Sequence, residues 1–190
     1  METSIIIAGF GGQGVLFAGQ LLTYAGMDNG LHVTWIPSYG PEMRGGTANC
    51  TVIISDEEIG APTVAQPDVA IVFSIPSFEK YEPLVKPGGL LIVNSSIVKE
   101  KSERMDIDVI EIPANAIGEE FGSAKMMNMA TIGALLAKRP LLSLEALCQT
   151  LQAHLPAKKH HLLEANKQVL QRGFALATAV TPQAQVSVPA

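Results

Sequence analysis

The chain has 190 residues, 47% of them apolar and 16% charged, with a formal net charge of −5. That composition supports one sizeable hydrophobic core and one compact domain. Thirteen lysines and arginines against eighteen acids, with no basic run, also exclude a general nucleic-acid binder, because phosphate backbones are held by clustered cations.

Ser4 to Ala8, SIIIA, is a β-branched run that reads as a strand and ends at the glycine-rich GFGGQG. VLFAGQLLTYAG then carries apolar residues at helical spacing up to a stop near Asn29-Gly30. HVTWIP, His32 to Pro37, predicts a second strand, which leads into SYGPEMRGG, Ser38 to Gly46. TANCTVIIS, Thr47 to Ser55, alternates polar and apolar residues as a strand buried on one face does. The near-continuous apolar runs of Asp68 to Ser74 and Gly88 to Ser96 predict central strands covered on both faces, with a short helix in PSFEKYEPLVKPGG between them. Asp108 to Pro113 predicts a further strand and ANAIGEEFG a short helix. From Ala124 the pattern is helical: AKMMNMATIGALLA, apolar nearly all round and so destined for burial, then SLEALCQTLQAHL, then KKHHLLEANKQVLQRGFALATA. The last stretch has two prolines and no periodicity, so residues 1–178 are expected to form the domain and 179–190 a mobile tail. The order predicts a single α/β domain of three layers, a mostly parallel or mixed central sheet flanked by helices, with a Rossmann-like first βαβ unit.

Two segments carry candidate chemistry. Gly9, Gly11 and Gly14 fit G-x-G-x-x-G between a strand and a helix, and with Gly12 and Gln13 they form a turn whose free amides, at the positive end of a helix dipole, suit a diphosphate. A dinucleotide site would also need an acid at the end of the second strand to hold the ribose. That strand ends in Ile36, Pro37, Ser38 and Tyr39, which weakens the nicotinamide reading. In the second segment Pro41 and the glycines Gly40, Gly45 and Gly46 shape a loop, with Ser38, Tyr39 and Glu42 as further polar candidates. Arg44 there offers a planar fork of donors for phosphate or carboxylate. Both loops follow strands that a parallel sheet would present at one edge, so a shared crevice is expected. The plain alternatives are a tight turn for the first segment and solvated loop charges for the second.

Other residues read as structural. His160-His161 point to different helix faces and cannot chelate as an i, i+4 pair does, Ser95-Ser96 suit capping at a strand end, and Met126, Met127 and Met129 suit packing. Cys50 and Cys148 lie far apart with no C-x-x-C, so they offer neither a disulfide framework nor a metal or iron–sulfur site. METSIII lacks the basic start and apolar stretch of a secretory signal, and no window has the roughly 18 apolar residues of a membrane span. A cytoplasmic component without a complete active site of its own is expected.

GFGGQGV, SYGPEMRGGTANC, PDVAI, LVKPGGLLIVNSS and NMATIGALLA, in that order, resemble the gamma subunit or gamma domain of the 2-oxoacid:ferredoxin oxidoreductases over about residues 3–177. The resemblance implies membership of an enzyme that oxidatively decarboxylates a 2-oxoacid to an acyl-CoA and passes electrons to ferredoxin. It implies thiamine diphosphate on alpha and beta subunits and iron–sulfur clusters on cysteine-rich partners, including a ferredoxin-like delta subunit. It further implies that the gamma part lines the catalytic cavity and helps to bind coenzyme A, through the glycine backbone of 9–14 and through Arg44. The isolated chain is then expected to be inactive. Pyruvate and branched 2-oxoacids stay open as substrates, with 2-oxoglutarate preferred. The competing readings are a free-standing dinucleotide-binding protein and a purely structural subunit.

Overall fold

Residues 1–40 and 46–180 are described by a computed structural model of the chain. The apolar run at the start forms β1 (Glu2–Phe10), the glycine turn leads into α1 (Val15–Asp28), and β2 (His32–Tyr39) and β3 (Thr47–Ser55) follow. The predicted central strands are β4 (Val69–Val72) and β5 (Leu90–Asn94), every residue of which is buried. Between them lie α2 (Ile75–Tyr81), with Pro76 in its first turn, and a 3-10 turn over Glu82–Leu84. Next come β6 (Asp108–Ile112), α3 (Ala114–Glu120), α4 (Met127–Lys138), α5 (Leu144–His154) and α6 (Leu163–Ala179). The tail expected from 179 falls, beyond residue 180, outside the described residues.

The six strands form one mixed sheet in the order β2-β3-β1-β4-β5-β6. β1, β4, β5 and β6 run parallel, with Ile6 opposite Ala70, Ala70 opposite Leu91, and Leu91 opposite Val109. β3 runs antiparallel to both β1 and β2, so β2 shares the direction of β1 with one strand between them. The opening βαβ unit is therefore present, but its second strand lies at the sheet edge. All nine residues of β1 pair with the nine of β3, and the edge position accommodates Pro37, which has no amide to donate.

Side chains alternate across the sheet and build two unequal layers. Ile5, Ile7, Ile71, Phe73, Ile92 and Ile110 face the helical layer, where they meet Leu22 of α1, Met129 and Ile132 of α4 and Leu170 of α6. Ile6, Ala8, Ala70, Val72, Leu91 and Val93 face a thinner layer made by Phe78 and Tyr81 of α2 with Val85, Val98 and Ile107. Each fully buried aliphatic side chain contributes about 1.5–3 kcal/mol. As its all-round apolar sequence predicts, α4 is buried from Met127 to Leu136.

The segment 157–162, expected as the start of the last helix, is instead a 3-10 turn, and the α-helix begins at Leu163. Ala157, Lys158, Lys159, His160 and His161 supply no large apolar side chain with which a helix could grip the core.

Candidate functional site

The strand directions bring the carboxyl ends of β1, β2, β4, β5 and β6 to one edge of the sheet. The two predicted glycine-rich segments meet there. Gly11 N donates to Gly46 O at 2.8 Å, and Gly40 N donates to Thr47 O at 2.9 Å, so both ends of the second loop are tied beside the first. Glu42, Arg44 and Gly45, with Pro41, lie outside the described residues.

Gly12 and Gly14 have φ of 98° and 76°, which a side-chain-bearing residue adopts only with strain. Gly14 is the N-cap of α1 and supplies no side chain to satisfy the helix's first amides. They open toward a cleft of about 400 Å³, whose described walls include Gly12, Gly14, Lys125, Asn128, Lys159 and Asn166. A helix start with uncapped amides, flanked by two lysines from different elements, is chemically suited to an anionic, phosphate-bearing group.

The predicted site residues divide by geometry. Gly12 and Gly14 line the cleft, and Gly11, next to Gly12 in the turn, is hydrogen-bonded to Gly46. Gly9 is buried in β1 beneath the turn. The side chain of Gln13 turns into the fold: its Oε1 accepts from Phe10 N at 2.6 Å and its Nε2 donates to Phe73 O at 3.2 Å. Gln13 therefore latches the turn to the end of β4 and leaves ligand contacts to its neighbours' backbone. Ser38 and Tyr39 are exposed on the edge strand, Tyr39 by 71%, and do not contribute to the described cleft walls.

Sequence reasoning missed Asn128, Lys125, Lys159 and Asn166. Asn128 is 4% exposed and donates from Nδ2 to Gly14 O at 3.2 Å, while its Oδ1 accepts from Met129 N at 3.1 Å. Its signal was a lone amide in an otherwise apolar helix start. Beside the cleft, and sharing Phe17 and Leu155 with it, runs a groove of about 180 Å³ lined also by Gln20, Tyr24, His154 and Pro156. Tyr24 stacks on His154 with ring centroids 4.3 Å apart, and Asp28 accepts from Thr150 Oγ1 at 2.8 Å and lies 3.2 Å from His154 Nε2.

The remaining candidates are structural. Ser96 Oγ accepts from Asn115 N at 3.2 Å and so caps α3. His160 and His161 are exposed, and Met126, Met127 and Met129 are buried. Both cysteines are free and buried. Burial pushes the Cys50 thiol up to about 11, against smaller opposing contributions from Trp35 and the Gly19 backbone, and burial also raises Cys148. Neither is a thiolate at neutral pH. No group of three or more His, Cys, Asp or Glu able to hold a metal occurs among the described residues, and no described helix is long and apolar enough to cross a membrane.

A family model described as pyruvate ferredoxin/flavodoxin oxidoreductase matches residues 4–176. The 2-oxoglutarate synthase subunit KorC of Methanothermobacter marburgensis is 35% identical over 184 residues, covering 91% of this chain and 99% of its own. The ketoisovalerate oxidoreductase subunit VorA of the same organism is 40% identical over 136 residues, covering 72% of this chain, which spans only 28% of VorA's length. Among solved structures, the keto/oxoacid ferredoxin oxidoreductase gamma subunit of Geobacter sulfurreducens superposes with a TM-score of 0.80 at 28% identity, covering 94% of this chain and 99% of that one. The 2-oxoglutarate:ferredoxin oxidoreductase of Magnetococcus marinus, solved with 2-oxoglutarate, coenzyme A and succinyl-CoA bound, gives a TM-score of 0.86 at 26% identity over 95% of this chain and 32% of that one. With sequence and fold in agreement over nearly its whole length, the chain belongs to the pyruvate ferredoxin/flavodoxin oxidoreductase family, where it is built like the gamma subunits.

Proposed function

We propose that this chain is the gamma subunit of a multi-subunit 2-oxoacid:ferredoxin oxidoreductase and walls the coenzyme A side of the catalytic cavity. In that reaction a 2-oxoacid and coenzyme A yield an acyl-CoA and carbon dioxide, and two electrons pass to ferredoxin. Thiamine diphosphate and the iron–sulfur clusters belong to the alpha, beta and ferredoxin-like delta subunits. The observation that carries the reading is the cleft at the start of α1, where glycines at positive φ expose uncapped amides between Lys125 and Lys159. Coenzyme A has a diphosphate of the right charge for that cradle, and Gly12 and Gly14 would face it through their backbone. Arg44 lies in sequence between Gly40 and Gly46, whose backbones are tied beside the glycine turn, and on this reading it supplies a further cation for coenzyme A. The preferred substrate is 2-oxoglutarate, since KorC, a relative at 35% identity that this chain spans almost completely, is a 2-oxoglutarate synthase subunit.

The dinucleotide alternative loses ground on topology. β3 lies between β1 and β2, so the end of β2 is one strand away from the glycine turn and carries Ser38 and Tyr39 where a ribose-binding acid would be needed.

A pair of variants at Gly12 tests the site. Among the described residues, its chain neighbours aside, no atom lies within 4 Å of where a Cβ would stand there, so Gly12→Asn and Gly12→Asp share the same backbone strain and differ in charge. In the purified complex Gly12→Asp should raise the KM for coenzyme A about tenfold over Gly12→Asn, one unit of local repulsion at about 1.4 kcal/mol. Equal KM values would reject an anion site at the turn. Arg44→Ala should raise the same KM with an unchanged Tm, and Arg44→Lys should rescue it only in part, since an ammonium lacks the bidentate fork.

A further inference from the structure

One wall of the cleft is built unlike the others. Between Leu155, buried at the end of α5, and Leu162, the six residues Pro156–His161 are all exposed, and the 3-10 turn over Ala157–Leu162 buries none of its side chains. Its hydrogen bonds among the described residues are local: Lys159 N donates to Pro156 O at 2.7 Å, and His160 Nε2 lies 2.7 Å from Leu155 O. At the far end Asn166, 7% exposed, donates from Nδ2 to Leu162 O at 2.8 Å and ties the segment to the first turn of α6. Six residues of 3-10 geometry exceed the three or four that usually persist, and a segment with exposed backbone bonds and no buried apolar side chain opens at low cost. Among the described residues its hydrogen bonds reach no further than Leu155 at one end and Asn166 at the other.

The middle carries Lys159. Its ammonium stands 6.0 Å from the centroid of the Phe17 ring, at the outer limit of a cation–π contact, so little holds it there. Phe17 lies on the first turn of α1, immediately after the uncapped amides. Leu155 and Pro156, at the near end of the segment, also border the neighbouring groove with Tyr24 and His154. The segment therefore borders both cavities, and its movement changes the walls of both.

We infer that Pro156–Leu162 is a strap that closes over the cleft and carries Lys159 from the Phe17 ring onto a phosphate of the bound ligand, opposite Lys125. The inference rests on the proposal that the cleft takes a phosphate-bearing ligand. It adds that one of the two described lysines is delivered by binding, which places ligand discrimination in the strap as well as in the glycine turn.

Hydrogen–deuterium exchange across 155–163, in the purified complex with and without saturating coenzyme A and separately inorganic pyrophosphate, tests it alongside calorimetric binding. The amides from Lys158 to Leu163 should exchange about tenfold more slowly with either ligand. Lys159→Gln should abolish that slowing and raise the Kd for pyrophosphate about tenfold, while Lys158→Gln should do neither. Binding of both ligands with unchanged exchange would make the segment a rigid wall and overturn the strap. Slowed exchange that survives Lys159→Gln would overturn the lysine's delivery. Binding of neither ligand would defeat the phosphate reading itself, and the strap with it.

Discussion

The amide of Asn128 holds the glycine turn from below. It reaches across 114 residues of sequence to donate to Gly14 O, and a Cβ built on Gly14 would stand 2.5 Å from its Nδ2. Asn128→Ala should cost about 1–2 kcal/mol for the lost buried hydrogen bond. Gly14→Ala should cost about 2–3 kcal/mol, because left-handed backbone strain of about 1–2 kcal/mol adds to the collision. The double variant should cost less than the sum, since removing Asn128 also removes the obstacle to the new methyl group. Urea melts of the four proteins measure this, and strict additivity would show that the two residues do not meet. A second residue, Asp68, ties the start of β4 to β1. Burial alone would raise its carboxyl, but hydrogen bonds from Lys86 and from the hydroxyl and amide of Ser4, together with the charge of Lys86, outweigh burial and hold it below its ordinary value of 3.8. Ser4 Oγ donates to Asp68 Oδ2 at 2.6 Å and Ser4 N at 2.9 Å. The folded value is the depressed one. The stabilisation is therefore complete above the unfolded value and is lost as pH falls from there through the folded value. Asp68→Asn should lower stability by about 1–2 kcal/mol at pH 7, and its deficit should shrink below about pH 4. Melts across pH 2.5–7 check the sign: a deficit that grows in acid would refute it.

Among the described helices, α4 and α6 pack backbone to backbone. A Cβ on Gly173 would stand 2.0 Å from Ala130 O, and one on Gly133 would stand 2.1 Å from Leu170 O, so each helix lays its backbone against the other. Alanine in a helix interior gains about 1 kcal/mol over glycine. Here the obstructing atoms are backbone and cannot rotate away, and overpacking of that kind costs about 1–3 kcal/mol or more. Gly173→Ala should thus be net destabilising and lower the Tm by several degrees, whereas a gain in Tm would show that the helices can part without penalty. Burial on both faces was legible in the sequence for β4 and β5, whose apolar runs have no polar side, and for α4, which is apolar all round. The place of β3 was not. Its alternating pattern fits an edge or an interior antiparallel strand equally well, and only the pairing of all nine residues with β1 puts it inside. The glycine turn was legible because its conformation is local. The rest of the cleft was hidden because Lys125, Asn128, Lys159 and Asn166 come from the far end of the chain, and neither spacing nor periodicity links them to Gly12. Gln13 belonged to the motif, and only its contacts with Phe10 and Phe73 reveal a latch.

At the scale of the whole molecule, the same unit occurs as a free-standing chain and as part of a longer one: this chain spans 99% of KorC but 28% of VorA and 32% of the Magnetococcus chain. On the proposed function, a unit used both ways works with its partners beside it whether or not they are covalently joined. On the proposed function its part is to hold the anionic coenzyme A, and turnover of the 2-oxoacid needs the partner subunits. Loss of carbon dioxide from a 2-oxoacid requires an electron sink, and the two electrons then need an acceptor. The cysteines here are buried, with the Cys50 thiol pushed up to about 11, so neither offers a thiolate to substrate or metal. Binding and turnover should therefore separate. The purified chain should bind coenzyme A, more weakly than the complex does because Gly11 and Gly12 face solvent at the mouth. With 2-oxoglutarate, coenzyme A and a viologen dye it should reduce nothing. Adding the purified partner subunits should restore both dye reduction and acyl-CoA formation, with the rate saturating as the chain is titrated to stoichiometry. Dye reduction by the chain alone would overturn the component reading, because the chemistry would then reside in this fold. Full activity of the partners without the chain would overturn the proposed role in the coenzyme A cavity and leave it a dispensable attachment.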